Sequence, residues 1–170
     1  ETIQKASIGF NPIDLYKDRN IWGLPPEVHH NGKPKLLWIP AGIVIPLQNE
    51  NKIKRLRIRR NNLGSGPRYV IVSGSTMVPM MLGTNTENYI IVESEFDALL
   101  IWKEAGDLTG IVALGSAAMK PDAFTHRALL QSKKIINALD YDQAGAKYAW
   151  RFWQETYGRK VIRWPVPIGK

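Results

Sequence analysis

At 170 residues with 44% hydrophobic side chains, the chain has the length and apolar content for one substantial core or two small ones. Its longest apolar stretches run four to six residues, which excludes a helical membrane span, and the lack of cysteine excludes a disulfide framework and a thiolate zinc site. The net charge of +8 is uneven: residues 1–88 carry 12 basic and 6 acidic side chains, residues 89–170 carry 11 and 9. A basic half next to a nearly balanced one suits a polyanion-binding surface, with a solvated surface kept for solubility as the plain alternative.

In chain order, residues 10–24 predict a short helix from Pro12 to about Trp22-Gly23. His29-His30 sits in a Pro/Gly-rich stretch and reads as a solvated pair, not a metal site. Leu36–Pro40 and Gly42–Pro46 predict strands with prolines at their ends, where a ladder donor can be spared. Lys52–Arg60 predicts a strand that turns Ile53, Leu56 and Ile58 inward only if one residue is bulged, because 53 and 56 differ in parity. Its other face is then a basic stripe of Lys54, Arg55, Arg57, Arg59 and Arg60. Asn61–Pro67 is a turn, Arg68–Val72 a returning strand, and Ser73-Gly74-Ser75 a small-residue loop. Trp22 and Trp38 are open between core packing and base stacking.

The second half has another rhythm. Apolar runs at 89–92, 111–114, 134–139 and 160–164 alternate with helical patterns at 95–105, 121–131 and 143–157. Gly106 fits a helix stop and Pro121 a first helical turn. Trp102, Trp150 and Trp153 fall on helix faces and read as core, whereas Glu95 and Glu104 read as helix-surface acids. Strand–helix repeats of this length predict a small parallel sheet with helices on both faces. The boundary falls near Thr84–Asn88, giving a basic amino-terminal part over 1–86 and an α/β part over 87–170.

Two acidic clusters end apolar runs: Glu93-Ser94-Glu95-Phe96-Asp97 after Ile90-Ile91-Val92, and Asp140-Tyr141-Asp142 after Lys134–Leu139. In open parallel sheets, ligands bind outside the carboxyl ends of the strands. If the two strands are neighbours, Glu93, Asp140 and Asp142 converge there. Asp140 and Asp142, one residue apart, project to one side of an extended chain. Carboxylates without histidine or cysteine suit a hard divalent cation and so phosphoryl-transfer chemistry. Asp142 alone could equally be a helix N-cap.

Val-Glu-Ser-Glu-Phe-Asp-Ala (92–98), Ala-Leu-Gly-Ser-Ala (113–117) and Asp-Tyr-Asp-Gln-Ala-Gly (140–145) resemble, in order and spacing, the successive motifs of a TOPRIM domain. They are most similar to those of bacterial-type DnaG primases and their phage and plasmid relatives. Ile8-Gly9-Phe10 and Trp38–Pro46 resemble strands of the amino-terminal subdomain of the primase polymerase core. The fold implied is α/β: a small TOPRIM-type parallel sheet flanked by helices, preceded by a smaller mixed α+β basic subdomain.

The resemblance implies a DNA-directed RNA polymerase of the primase type, making short RNA primers on a single-stranded DNA template from ribonucleoside triphosphates. Glu93, Asp140 and Asp142 become catalytic carboxylates that hold Mg²⁺ or Mn²⁺ with Asp97, and no zinc is expected in this stretch. Lys54, Arg55, Arg57, Arg59, Arg60 and Arg68 become contacts to nucleic acid or nucleotide phosphates. A replicative helicase would be engaged through regions outside this chain, in a cytoplasmic, bacterial, phage or plasmid setting, without a membrane. Some positions depart from the family: Ser94 replaces a glycine, and a lysine that relatives carry near the position of Met80 is lacking. The further acidic motif of relatives is expected just where the sequence stops, after Pro165–Lys170. The competing readings are a TOPRIM nuclease or topoisomerase-like phosphodiester cleaver, and a non-catalytic nucleic-acid-binding TOPRIM module.

Overall fold

The computed structural model describes the backbone of residues 1–49, 52–62, 64–139 and 146–164. The chain divides into two units, Glu1–Met77 and Val78–Lys170. The second thus begins before the composition change near Thr84–Asn88.

In the first unit a helical turn, α1 (Thr2–Lys5), precedes six strands: β1 (Gly9–Asn11), β2 (Leu15–Lys17), β3 (Leu37–Ile39), β4 (Gly42–Asn49), β5 (Lys52–Arg60) and β6 (Tyr69–Ile71). Strands β1-β4-β5-β6 form an antiparallel sheet and β2-β3 a separate pair. The helix expected over 10–24 does not form. Leu15, Tyr16 and Lys17 pair instead with Ile39, Trp38 and Leu37, and only a 3₁₀ turn, Arg19–Trp22, remains. A partner strand more than twenty residues away overrides the local pattern, as tertiary pairing does for short segments.

Pro46 lies inside β4, not at its end. It is tolerated because β1 pairs only with Gly42–Val44, so beyond that point one edge of β4 needs no ladder donor. Gly42, at φ +154°, sits where a Cβ would lie 2.2 Å from the Arg59 carbonyl, so only glycine lets β4 and β5 close at this point. Leu37, Ile39, Ile58 and Val72 form the core, backed by Leu15, Leu24, Val44 and Leu56.

The expected bulge is present. The register of β4 on β5 shifts between Leu47 (opposite Arg55) and Gln48 (opposite Ile53), leaving Lys54 as the extra residue. Leu56 and Ile58 face the core accordingly. Ile53, on the far side of the bulge, is 57% exposed instead of inward.

The second unit contains β7 (Met80–Leu82), β8 (Asn88–Val92), α2 (Glu95–Ala105), β9 (Gly110–Ala113), α3 (Ala123–Gln131), β10 (Lys134–Asn137), α4 (Ala146–Tyr157) and β11 (Val161–Arg163). The five strands lie in the order β11-β10-β8-β9-β7; four are parallel, and β7 runs antiparallel at the edge. This is the α/β sheet expected from the alternating pattern. Edge strand β7 was not foreseen, because three residues of Met-Met-Leu carry no period.

Tyr89, Ile91, Val112, Leu114, Ile135, Leu139 and Val161 turn to one face and pack with Leu129 of α3 and Trp153 and Tyr157 of α4. Helix α2 packs on β9, β7 and β8, its buried Ala98 and Leu99 lying outside that cluster. Trp153 is buried and Trp150 packs partly against the same core, as expected from their helical spacing. Asp122, not Pro121, caps α3: its carboxylate accepts from the Thr125 N–H at 3.0 Å. Gly106 does end α2, in ordinary right-handed geometry; a Cβ there would lie 2.3 Å from the Trp102 ring.

Candidate active site

The chain leaves β8 for β9 on one side and leaves β10 for β11 on the other, so the sheet changes direction between β8 and β10. Such a switch point opens a crevice at the carboxyl ends of the two strands. The strands pair in parallel, Asn137 opposite Ile91, and the ladder continues through Ala138 N–H to Ile91 O at 2.8 Å. Glu93 therefore follows β8, and Ala138-Leu139 follow β10, at the same end of the sheet. Asp140 and Asp142 lie outside the described residues, and among the described ones no three acidic or histidine side chains form a metal-binding group.

Glu93 sits half-buried in the bend between β8 and α2. Its carbonyl accepts from the Gly115 N–H at 2.7 Å, after Val92 O has accepted from Leu114 N–H at 3.1 Å. The Leu114-Gly115-Ser116 turn is thus tied to the Glu93 backbone, and Gly115, at φ +90°, makes that turn. Ser94, standing where glycine is usual, is the N-cap of α2: its Oγ accepts from Asp97 N–H at 3.2 Å and donates to Asp97 Oδ2 at 2.5 Å. The serine thereby fixes the Asp97 carboxylate on the first helical turn, where the helix dipole favours negative charge.

Glu95 is a correction. It reads as a surface acid, yet it is fully buried at the first position of α2. It shares the buried face of the helix with Ala98 and Leu99.

Asn137 was passed over as one more strand residue. It is buried, its Oδ1 accepts from Leu139 N–H at 3.1 Å, and its Nδ2 has no hydrogen-bond partner among the described residues. This bond shapes the turn that leads into Asp140. The signal was present: an amide inside an otherwise apolar run carries a desolvation cost that plain packing would avoid.

In the first unit, Arg59, Arg60, Asn61 and Arg68 line a pocket of about 370 Å³. Arg59 and Arg60 end β5, and Arg60 N–H donates to Arg68 O at 2.9 Å, so the hairpin itself brings the three guanidinium groups together. Arg60 lies 5.5 Å over the Trp38 ring and donates from Nη1 to Pro67 O at 3.2 Å. Trp38 is held in turn by Asp14, which accepts from Trp38 Nε1 at 3.1 Å and from Ala41 N–H at 2.7 Å. These bonds, the Ala41 amide foremost, and the Arg60 charge hold the Asp14 carboxyl below its ordinary pKa. Trp38 thus serves as the arginine's platform.

The basic stripe is only partly a surface. Lys54 and Arg59 are exposed and Arg60 is half-buried, but Arg55 and Arg57 are buried. Strands β4 and β6 flank the middle of β5, and the Tyr69 ring lies 4.5 Å from the Arg57 guanidinium. Those two arginines add to the local potential with little exposed surface of their own. His29 and His30 are exposed, as expected, while His126 Nδ1 meets Tyr157 Oη at 2.8 Å. No helix among the described residues is long and apolar enough to cross a membrane.

Residues 88–164 match the Toprim domain family. The fold is similar to the zinc-binding and RNA polymerase domains of the Aquifex aeolicus primase, at 18% identity and TM-score 0.64, over 99% of this chain and 47% of that one. The RNA polymerase domain of Mycobacterium tuberculosis primase DnaG is similar at 16% identity and TM-score 0.63, over 98% of this chain and 64% of that one. The same domain bound to a double-stranded DNA oligomer with a 6-nucleotide overhang gives 13% identity and TM-score 0.63, over 99% and 62%. This chain therefore spans between about half and two-thirds of the length of those solved chains. No curated protein sequence matches it. Residues 88–164 thus resemble a Toprim domain, and the chain as a whole is similar in fold to the RNA polymerase domain of DnaG-type primases.

Proposed function

We propose that this chain is the catalytic core of a primase, joining ribonucleotides into short primers on single-stranded DNA. The observation that carries the reading is the switch point between β8 and β10, with Glu93 directly after β8; the Asp140-Tyr141-Asp142 motif, two residues after the end of β10 in the sequence, supports it. The donors are all carboxylates, the set that suits a hard, oxygen-seeking ion, so Mg²⁺ or Mn²⁺ fits. Glu93, Asp140 and Asp142 hold it, with Asp97 supporting the site from the first turn of α2. Such an ion, when bound, neutralises the triphosphate and stabilises charge on the leaving pyrophosphate.

The protein's own side chains supply positioning and proton transfer. Glu93 accepts the proton of the primer 3′-hydroxyl as it attacks the α-phosphorus. Arg59, Arg60 and Arg68 bind phosphate oxygens of the template or the incoming nucleotide, and forked guanidinium groups suit that task. Lys54 adds a mobile positive charge. The Leu114-Gly115-Ser116 turn lines the site through backbone groups. The domain division proposed for these roles places the basic contacts in residues 1–86 and nucleotidyl transfer in 87–170. The whole-chain similarity to a primase domain solved with DNA supports the template assignment, and a helicase partner belongs to regions outside this chain.

The test is labelled ribonucleotide incorporation on single-stranded DNA with Mg²⁺ or Mn²⁺, comparing the wild-type chain with Asp142→Ala, each also extended beyond Lys170. Oligoribonucleotides made by the wild type and lost in the variant support the reading. Template cleavage in place of synthesis would favour a Toprim nuclease. Unchanged DNA binding with no chemistry in either form would favour a binding module.

A further inference from the structure

A second recess in the first unit, of about 130 Å³, is lined by Trp22, Leu24, Leu37, Ile53, Lys54, Arg55 and the Ser73–Ser75 turn. Its floor is the hydrophobic core itself, through Leu24, Leu37, Leu56 and Val72. Its rim carries two large apolar side chains that gain nothing from their exposure: Trp22 is 46% and Ile53 57% exposed. Ile53 is turned outward by the bulge at Lys54, which also places that lysine's charge on the rim.

The turn that carries the indole is firmly held. Arg19, at the start of the same 3₁₀ turn, is almost buried and pairs with Glu27 at 2.5 Å. It also donates to Pro25 O at 3.0 Å and to Ser73 Oγ at 3.4 Å. One guanidinium therefore fastens the Trp22 turn to the Ser73–Ser75 turn. Gly74, at φ +89°, permits the close approach; a Cβ there would lie 2.5 Å from Leu24. Ser75 Oγ accepts from Leu56 N–H at 3.0 Å, tying the turn to β5.

We infer that this recess is a stacking subsite for one unpaired base of single-stranded DNA, with the base against Trp22 and the neighbouring phosphate near Lys54. A space this size is well below the roughly 300 Å³ of a site for a whole drug-sized ligand, but it accepts a single planar ring. An apolar floor, an exposed aromatic face and a cation at the rim are what a sequence-tolerant single-strand site combines. A fixed indole loses little entropy when a base stacks on it. The inference rests on the reading that this chain handles single-stranded DNA, and it adds a contact outside both the carboxylate site and the arginine pocket.

The experiment titrates the full chain with a fluorescent oligothymidylate at several salt concentrations, without nucleotides or divalent cations, and repeats the titration with free thymidine monophosphate. Trp22→Ala is expected to weaken oligonucleotide binding about tenfold at fixed salt. Trp22→Phe keeps a stacking face and should recover most of that loss. Lys54→Ala should instead lower the slope of log affinity against log salt by about 0.7, a change that Trp22→Ala should not make. Wild-type affinity in Trp22→Ala overturns the inference and leaves the recess to a protein side chain. A tenfold loss on the free mononucleotide equal to that on the oligonucleotide also overturns it, making the recess a nucleotide site. Because this binding needs no catalysis, failed primer synthesis with the Trp22 effect intact would sink the primase reading alone.

Discussion

The two units gather functional side chains by different means. In the second unit, which holds the Toprim match, most strands are parallel, so the turns after β8 and β9 lie at one end, where Gly115 N–H meets Glu93 O. In the basic unit the strands are antiparallel and their ends alternate. There a hairpin brings Arg59 and Arg60 to Arg68 across the β5–β6 turn. Among the described residues, buried side chains from β8–β11, α3 and α4 pack into one cluster in the second unit, while Leu37, Ile39, Ile58 and Val72 cluster in the first. A long-range site needs a stiff frame; a hairpin site carries its own.

The largest expected effect breaks that frame. Trp153 is buried among Tyr157, which it stacks on at 5.3 Å, and Phe152 at 5.6 Å. Trp153→Ala should cost about 3–5 kcal/mol of stability, read by chemical denaturation. If the units are as separately built as their cores suggest, the transition of the Toprim unit moves and that of the basic unit stays. Glu93→Gln is next and touches no core: thermal stability should hold while primer synthesis falls at least about a hundredfold, or about 2.7 kcal/mol. A variant that folds and synthesises normally would remove Glu93 from the site and leave the switch point without its first carboxylate.

A third test sharpens the same contrast by pH. Burial pushes the Tyr157 phenol up to about 12, from an ordinary value of 10. A group whose folded pKa is raised stabilises fully below its unfolded pKa and loses that contribution as pH rises through the folded one. The Toprim unit should therefore lose roughly 2 kcal/mol between about pH 10 and 12. Tyr157→Phe, though it gives up the 2.8 Å contact with His126, should flatten that decline in alkaline denaturation curves.

These differences also explain what could be read from the chain alone. The Toprim unit was legible because its signals are local and periodic: apolar runs end in acids, and helices span the intervals between them. The strand order that makes β8 and β10 neighbours was only a condition in that reading, and the pairing of Asn137 with Ile91 supplies it. Glu95 misled because an acid in a first turn looks alike whether it meets water or is buried. The basic unit was less legible. Residues 15–17 take their conformation from Trp38 and its neighbours, a partner that no local pattern announces. The parity conflict in Lys52–Arg60 did reveal the bulge, but which side chains it would expose depended on its place, and Ile53 went outward while Arg55 and Arg57 were buried.

The smallest expected effect asks whether the arginine pocket acts as a set or as separate charges. Arg68 starts the return of the hairpin, and its carbonyl, not its side chain, accepts from Arg60 N–H. Arg68→Ala therefore leaves the β5–β6 ladder bonds in place and removes only one guanidinium from the pocket. If each arginine neutralises one phosphate of single-stranded DNA, the salt slope should fall by about 0.7, and affinity by a few-fold at moderate salt. Arg60 differs, because Trp38, Asp14 and Pro67 hold it. Trp38→Leu would free Arg60 without changing the charge, so affinity should drop while the slope stays. Should both variants change the slope alike, the pocket would be a pool of charge. A change confined to Arg68→Ala would mean that Trp38 contributes orientation, as forked recognition of phosphate requires.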